Sequence, residues 1–157
     1  MKQFAPILVN LYEKRILIVG GGKAALLKAK GISRFTSQIT ILSPDIHSEL
    51  EKYPFTFWKQ EYKEGAIDKF FLVYACTDDT ALNRKIGEEC ANKNILYSVC
   101  DNPEISSFVS PAIYKNDEIT ISIGTNGSSP RQAIYIRNQI QQLIDEGLLK
   151  TNKIYNS

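Results

Sequence analysis

The sequence predicts an α/β protein: a doubly wound parallel sheet followed by a short β-hairpin and a helix forming a separate segment. Three observations carry that prediction. Short apolar and β-branched runs alternate with helix-forming stretches, a triple glycine closes the first run, and the rhythm changes after residue 111.

The first run, Arg15 to Val19, is continuous and apolar, as a strand covered on both faces must be. Gly20-Gly21-Gly22 ends it abruptly, and Lys23 to Arg34 is rich in the helix formers Ala, Leu and Lys. Gln38 to Leu42 reads as the next buried strand, closed by Ser43-Pro44, which completes a βαβ unit. A weaker strand is expected at Thr56 to Trp58 and a stronger one at Phe70 to Ala75. Thr80 to Asn92 reads as a helix, with Thr77 or Asp78 near its start as the N-cap. Ile95 to Val99 is the last strand of the series and runs into Cys100-Asp101-Asn102-Pro103, after which no helix is evident. These elements make one domain over residues 1–111.

Residues 112–157 have another character. Ala112 to Lys115 and Glu118 to Ile123 are β-prone runs around the turn-like Asn116-Asp117. Ser129 before Pro130 suits an N-cap with proline at the first helical position. The helix that follows carries Ala133, Ile136, Ile140 and Leu143 on one stripe and should stop near Gly147. Such a stripe needs a cover, from the domain or from another subunit. The last residues are polar and expected to fray.

Composition narrows the function. At 157 residues and 43% hydrophobic, the chain can bury one core with a short appendage. A net charge of +2 without a dense Lys/Arg run argues against a nucleic-acid partner, yet leaves an acidic small molecule open. No apolar run approaches the roughly 20 residues of a membrane span, and Met1 to Leu11 lacks the pattern of a secretion signal, so a cytoplasmic location is expected. The three cysteines, Cys76, Cys90 and Cys100, form an odd set without metal-ligand spacing and read as reduced thiols. His47 is the one histidine, which excludes any scheme needing two; it reads as a solvated loop residue.

The glycine run is the first chemical signal. Gly20-x-Gly22-x-x-Ala25 after a strand and before a helix is the Rossmann dinucleotide fingerprint with alanine in third place. Its first glycine permits the tight turn, and its second lets the backbone approach a pyrophosphate at the helix N-terminus. The acidic residue that usually closes the second strand is replaced by Ser43, and Asp45 follows two residues later. Asp45 either reaches the ribose or serves an ordinary turn. No arginine beside Ser43 would hold a 2′-phosphate, which favours NAD over NADP. Thr77-Asp78-Asp79 and Asp101-Asn102 follow two further strands, so they share the ligand-binding edge of an open sheet. Helix capping is the alternative for Asp78 and Asp79. Asp101 lacks an evident helix to cap, and shielding by a cofactor would raise its proton affinity toward acid–base work.

Taken together, the segments resemble the precorrin-2 dehydrogenase family, the N-terminal module of sirohaem synthase. The residues are Phe4-Ala5-Pro6-Ile7, Leu11, Val19 to Gly22, Lys28, Ala75 to Asp79, Leu82-Asn83-Arg84, Val99-Cys100-Asp101, Ser107 to Ala112 and Gly124 to Pro130. The resemblance runs over about residues 4 to 146. It implies oxidation of precorrin-2 to sirohydrochlorin with NAD as hydride acceptor, and Asp101 as general base. It places Lys23, Ala24, Pro44 and Asp45 against NAD, beside Gly20, Gly22, Ser43, Thr77 and Asp78 from the residue reading. It places Thr125 in the tetrapyrrole pocket, with Ser107 and Asn126 in the same motifs. Lys115, Arg131 and Arg137 are candidate partners for the substrate carboxylates. It also implies a homodimer through the hairpin and last helix, and leaves iron insertion open. The competing readings are a non-catalytic NAD-sensing module, which has no need of Asp101 or Ser107 to Pro111, and a ferrochelatase without dehydrogenase activity.

Overall fold

The computed structural model describes residues 3–151. The expected fraying of the last residues lies outside them. Two units are present among the described residues: 7–108, and 3–6 together with 109–151.

In the first unit, five strands form one parallel sheet: β1 (Ile16–Val19), β2 (Ile39–Leu42), β3 (Thr56–Trp58), β4 (Leu72–Ala75) and β5 (Leu96–Val99). Their order is β3-β2-β1-β4-β5, and every neighbouring pair is parallel. Helices α1 (Lys23–Ile32) and α2 (Thr80–Asn92) provide the crossovers. Alternation along each strand divides the core in two. Ile16 and Ile18 of β1 join Ile39, Ile41, Leu72 and Tyr74 in a layer with Ala25, Leu26 and Ala29 of α1. Leu17 and Val19 face the other way, with Leu42, Val73, Ala75 and Val99, and meet Ile86 and Cys90 of α2. Apolar residues on both strand faces thus have one explanation, a helix on each side. Each buried Ile or Leu contributes about 1.5–3 kcal/mol.

The structure shortens most expected elements by one or two residues. Two features were not expected: one-turn 3₁₀ helices at Leu50–Lys52 and Pro103–Ile105. The second is capped by Asn102, whose side chain accepts from the Glu104 N–H at 3.2 Å. Cap geometry also corrects the start of α2. Asp79, not Thr77 or Asp78, is its N-cap, with Oδ1 accepting from the N–H groups of Ala81 and Leu82 at 2.9 and 3.0 Å. His47 is half-buried rather than fully solvated: Nδ1 accepts from the Glu49 N–H at 3.2 Å.

The reduced-thiol expectation is overturned for two of the three cysteines. Cys76 and Cys100 are joined by a disulfide, with Cα atoms 5.2 Å apart. They are separated by 24 residues in the chain, but β4 pairs with β5 in the register Ala75↔Val99, so the next residue of each strand meets the other. Cys90 remains free and buried, and its thiol pKa is pushed up to about 12, first by burial and then by the nearby Glu89.

The far side of α2 is fastened by Glu89. Its carboxylate accepts from Tyr62 Oη at 2.5 Å, the Gly65 N–H at 2.9 Å and Lys93 Nζ at 2.9 Å. Burial raises its pKa, but the hydrogen bonds from Tyr62, Lys93 and Gly65 outweigh burial and leave it below the usual carboxylate range. A carboxylate with a depressed folded pKa stabilises above its unfolded pKa, about 4.3, and loses that contribution as pH falls through the lower folded value. The melting-temperature gap between wild type and Glu89→Gln should therefore narrow below about pH 4. A gap unchanged between neutral and strongly acid pH would rule this role out.

The second unit contains the antiparallel hairpin β6 (Ala112–Lys115) and β7 (Thr120–Ile123), and helix α3 (Pro130–Asp145). Asn116 shapes the hairpin turn by accepting from the N–H groups of Glu118 and Ile119. Ser129 caps α3, accepting from the Gln132 N–H, and Pro130 follows at the first helical position. The helix ends in a Schellman motif: Gly147 at φ 72° donates to Ile144 O, and the Leu148 N–H donates to Leu143 O.

Candidate functional site

All five strands of the first unit point the same way, so the segments leaving them share one edge. Gly20 to Ala24 follows β1, Ser43 to Asp45 follows β2, Thr77 to Asp79 follows β4, and Asp101 follows β5. The order in which strands are added reverses between β1 and β4, with β2 and β3 on one side and β5 on the other, and the crevice at such a switch point is where open α/β sheets take ligands. The glycine bend and Asp101 are thus on the same edge, which the sequence reading required.

Each glycine of the triplet meets different surroundings. Gly20 has φ +119°, and a Cβ there would stand 2.4 Å from Cys76 O. At Gly21 an added Cβ would be 1.9 Å from Asp45 O and 2.9 Å from Ser43 Oγ. At Gly22 it would meet nothing within 4 Å. Gly20 and Gly21 therefore let three backbone segments pack together, while Gly22 faces open space. Gly21 was only a spacer in the sequence motif; nothing in the spacing shows that the loop after β2 lies against it. The Gly21 carbonyl also accepts from the His47 N–H at 2.8 Å, tying that loop down.

Gly22 is the N-cap of α1, and no side chain bonds the first-turn N–H groups there. By contrast Asp79 and Ser129 cap α2 and α3. The uncapped amides and the positive end of the helix dipole suit an anionic group, and Lys23 and Ala24 are exposed in that first turn. Pro44 and Asp45 are exposed beside it, and Ser43 is half-buried with its N–H donating to Trp58 O at 3.1 Å. Asp78 is exposed and takes no part in the cap. Asp101 is exposed in the turn after β5.

Ser107 sits at the outer edge of β5. Its hydroxyl accepts from the Tyr97 N–H at 2.8 Å and donates to Tyr97 O at 3.0 Å, so its visible work is to finish a sheet edge. Lys28 of α1 has its Nζ 5.7 Å from the Tyr74 ring centroid, and burial lowers its pKa.

The remaining candidates belong to the second unit. Thr125 Oγ1 accepts from the Ser129 N–H at 3.1 Å, and its carbonyl accepts from Ser128, so it builds the turn into α3. Asn126 occupies the top of that turn at φ 51°. Lys115 and Arg131 are exposed. Arg137 is half-buried, and its Nε is a buried donor without a partner among the described residues. Arg131 and Arg137 lie six positions apart on one helix, about 120° apart around its axis, so they serve different sides.

Among the described residues no cluster of three His, Cys, Asp or Glu side chains could hold a metal ion, and no helix is long and apolar enough to cross a membrane.

Comparison with known proteins agrees with this architecture. A family model described as putative NAD(P)-binding matches residues 7–112. A siroheme synthase of Psychrobacter sp. (strain PRwf-1) is 37% identical over 153 residues, covering 95% of this chain and 31% of its own. One from Psychrobacter arcticus is 33% identical over 155 residues, covering 95% and 28%. The chain thus spans about a third of the length of these curated relatives. The solved structure of SirC, precorrin-2 dehydrogenase, superposes with a TM-score of 0.76 at 21% identity, covering 88% of this chain and 70% of that one. Because the family model spans the whole parallel sheet, from before β1 to the start of β6, the chain belongs to the putative NAD(P)-binding family.

Proposed function

We propose that the chain is an NAD-dependent precorrin-2 dehydrogenase, which converts precorrin-2 to sirohydrochlorin in sirohaem biosynthesis. The observation that carries this reading is the meeting of the glycine bend, an uncapped α1 N-terminus and a free-standing carboxylate on one sheet edge. The names of its relatives, siroheme synthase and precorrin-2 dehydrogenase, supply the substrate class.

The site fits a dinucleotide: Gly22 leaves room at the α1 N-terminus, where amides of the first turn remain for the pyrophosphate. Ser43 to Asp45 would flank the ribose, and with no arginine next to Ser43, NAD suits the site better than NADP. NAD, when bound, supplies the hydride acceptor. In the reaction precorrin-2 and NAD⁺ give sirohydrochlorin, NADH and a proton. Asp101 takes up that proton as general base. Lys115, Thr125, Asn126, Arg131 and Arg137, with Ser107, are the proposed contacts to the tetrapyrrole. The unpartnered Arg137 Nε is the donor among them most in want of an acceptor. The domain division at residue 111 and a cytoplasmic location complete the reading.

An anaerobic assay following sirohydrochlorin absorbance with and without NAD⁺ tests it. NAD⁺-dependent appearance of product supports the dehydrogenase. Binding of NAD without turnover would replace it with the sensing module.

The second unit supports a homodimer. Ile136 and Leu143, on the predicted α3 stripe, are 37% and 42% exposed, an apolar face that a second copy would cover. Sedimentation should give twice the chain mass for wild type and a monomer for Ile136→Glu/Leu143→Glu. A monomeric wild type would refute the dimer.

A further inference from the structure

Asn83 is fully buried on α2, between the apolar core and the segment that leaves β4. A polar side chain in such a place costs stability unless its groups are paired. Here every polar atom is paired, and all with one residue. Oδ1 accepts from the Thr77 N–H at 3.0 Å and from Thr77 Oγ1 at 2.7 Å, while Nδ2 donates to Thr77 O at 2.9 Å. The reverse amide orientation would set Nδ2 against the Thr77 N–H and Oδ1 against its carbonyl, so the network fixes the assignment.

Two consequences follow for the sheet edge. The Thr77 N–H is committed internally, and its hydroxyl has two internal acceptors, Asn83 Oδ1 at 2.7 Å and Asp79 O at 3.1 Å. Neither remains to donate to a ligand. The same segment is the wall against which the glycine bend lies, since a Cβ on Gly20 would stand 2.4 Å from Cys76 O and 3.1 Å from the Thr77 N. A shift of Thr77 would open that contact at the switch point.

We propose that Asn83 is a positioning residue for dinucleotide binding: it locks Thr77, so that Thr77 shapes the β1/β4 crevice as a wall and not as a hydrogen-bond donor. This rests on the nucleotide-binding reading given above. Asn83 does not touch the cofactor; it acts through Thr77.

The test is NAD affinity, measured by calorimetric titration on the full chain well below each variant's melting temperature. Asn83→Ala should weaken NAD binding about tenfold, the equivalent of one buried hydrogen bond, with the variant folded by circular dichroism. Thr77→Val should weaken it less, and the double variant should lose no more than Asn83→Ala alone, because both act on one contact. If Asn83→Ala does not fold, Asn83→Asp replaces it. That variant keeps both acceptor contacts and loses the donor to Thr77 O, and weaker binding is again expected. Wild-type affinity in a folded Asn83 variant would overturn the proposal. So would Thr77→Val losing the same factor in both backgrounds, which would mean that its hydroxyl meets the cofactor directly. A wild type that binds no NAD would remove the nucleotide-binding reading itself, whereas unchanged binding in Asn83→Ala alone removes only the positioning role.

Discussion

Asp101→Ala should abolish precorrin-2 turnover, a fall of about 10²–10⁴-fold, while NAD still binds. The size follows from the proposed role: a base that takes the proton in the oxidation cannot do so once its carboxylate is removed. The selectivity follows from the position. Asp101 is exposed in the turn after β5, and no hydrogen bond or ion pair engages its side chain among the described residues. Removing it should therefore leave stability within about 0.5 kcal/mol. Asp101→Asn, which keeps the shape and loses the proton affinity, should fail to the same degree. Anaerobic rates and a parallel NAD titration decide the matter. A variant turning over at the wild-type rate would transfer the base role elsewhere.

The second large effect separates the glycines. Gly20→Ala should cost about 3 kcal/mol of stability, because the backbone is at φ +119° and the new Cβ would stand 2.4 Å from a main-chain carbonyl. Neither partner in that clash is a flexible side-chain end. Gly21→Ala should be comparably harmful, with 1.9 Å to Asp45 O. Gly22→Ala is the contrast. Its Cβ meets nothing within 4 Å, and its φ of −89° is open to any residue. It should melt within a few degrees of wild type, yet bind NAD at least tenfold more weakly, since on the proposed reading the added methyl enters the space left for the pyrophosphate. Melting curves and NAD titration of the three variants give the comparison. Tight NAD binding by Gly22→Ala would show that this space is not the phosphate site.

The sheet could be read from the chain because local composition and global position agree there. Ile16 to Val19 is apolar at every position, and only a strand between two helical layers makes use of that. The boundaries of β3 and α2 match the reading to the residue. The α2 cap was misplaced by one or two residues. Thr77, Asp78 and Asp79 all have capping chemistry, and only the backbone path decides which oxygen faces Ala81 and Leu82. The cysteines failed for a related reason: 24 residues of sequence hide a parallel register that makes Cys76 and Cys100 neighbours. Asn83 stood in a motif without a role, since a polar residue in a helical run gives no sign of what it meets in the fold.

By itself, the sequence determined the α/β class, the strand and helix succession, the glycine bend and the hairpin–helix segment. Each of these depends on periodicity and on residue-level conformational limits, which are local. The tertiary structure decided the rest: that Gly21 is the most crowded of the three glycines, that Thr77 is held by Asn83, and that Ser107 finishes the edge of β5. Those facts depend on which segments pass within a few ångströms of one another, and strand order and register set that distance, not neighbourhood in the chain.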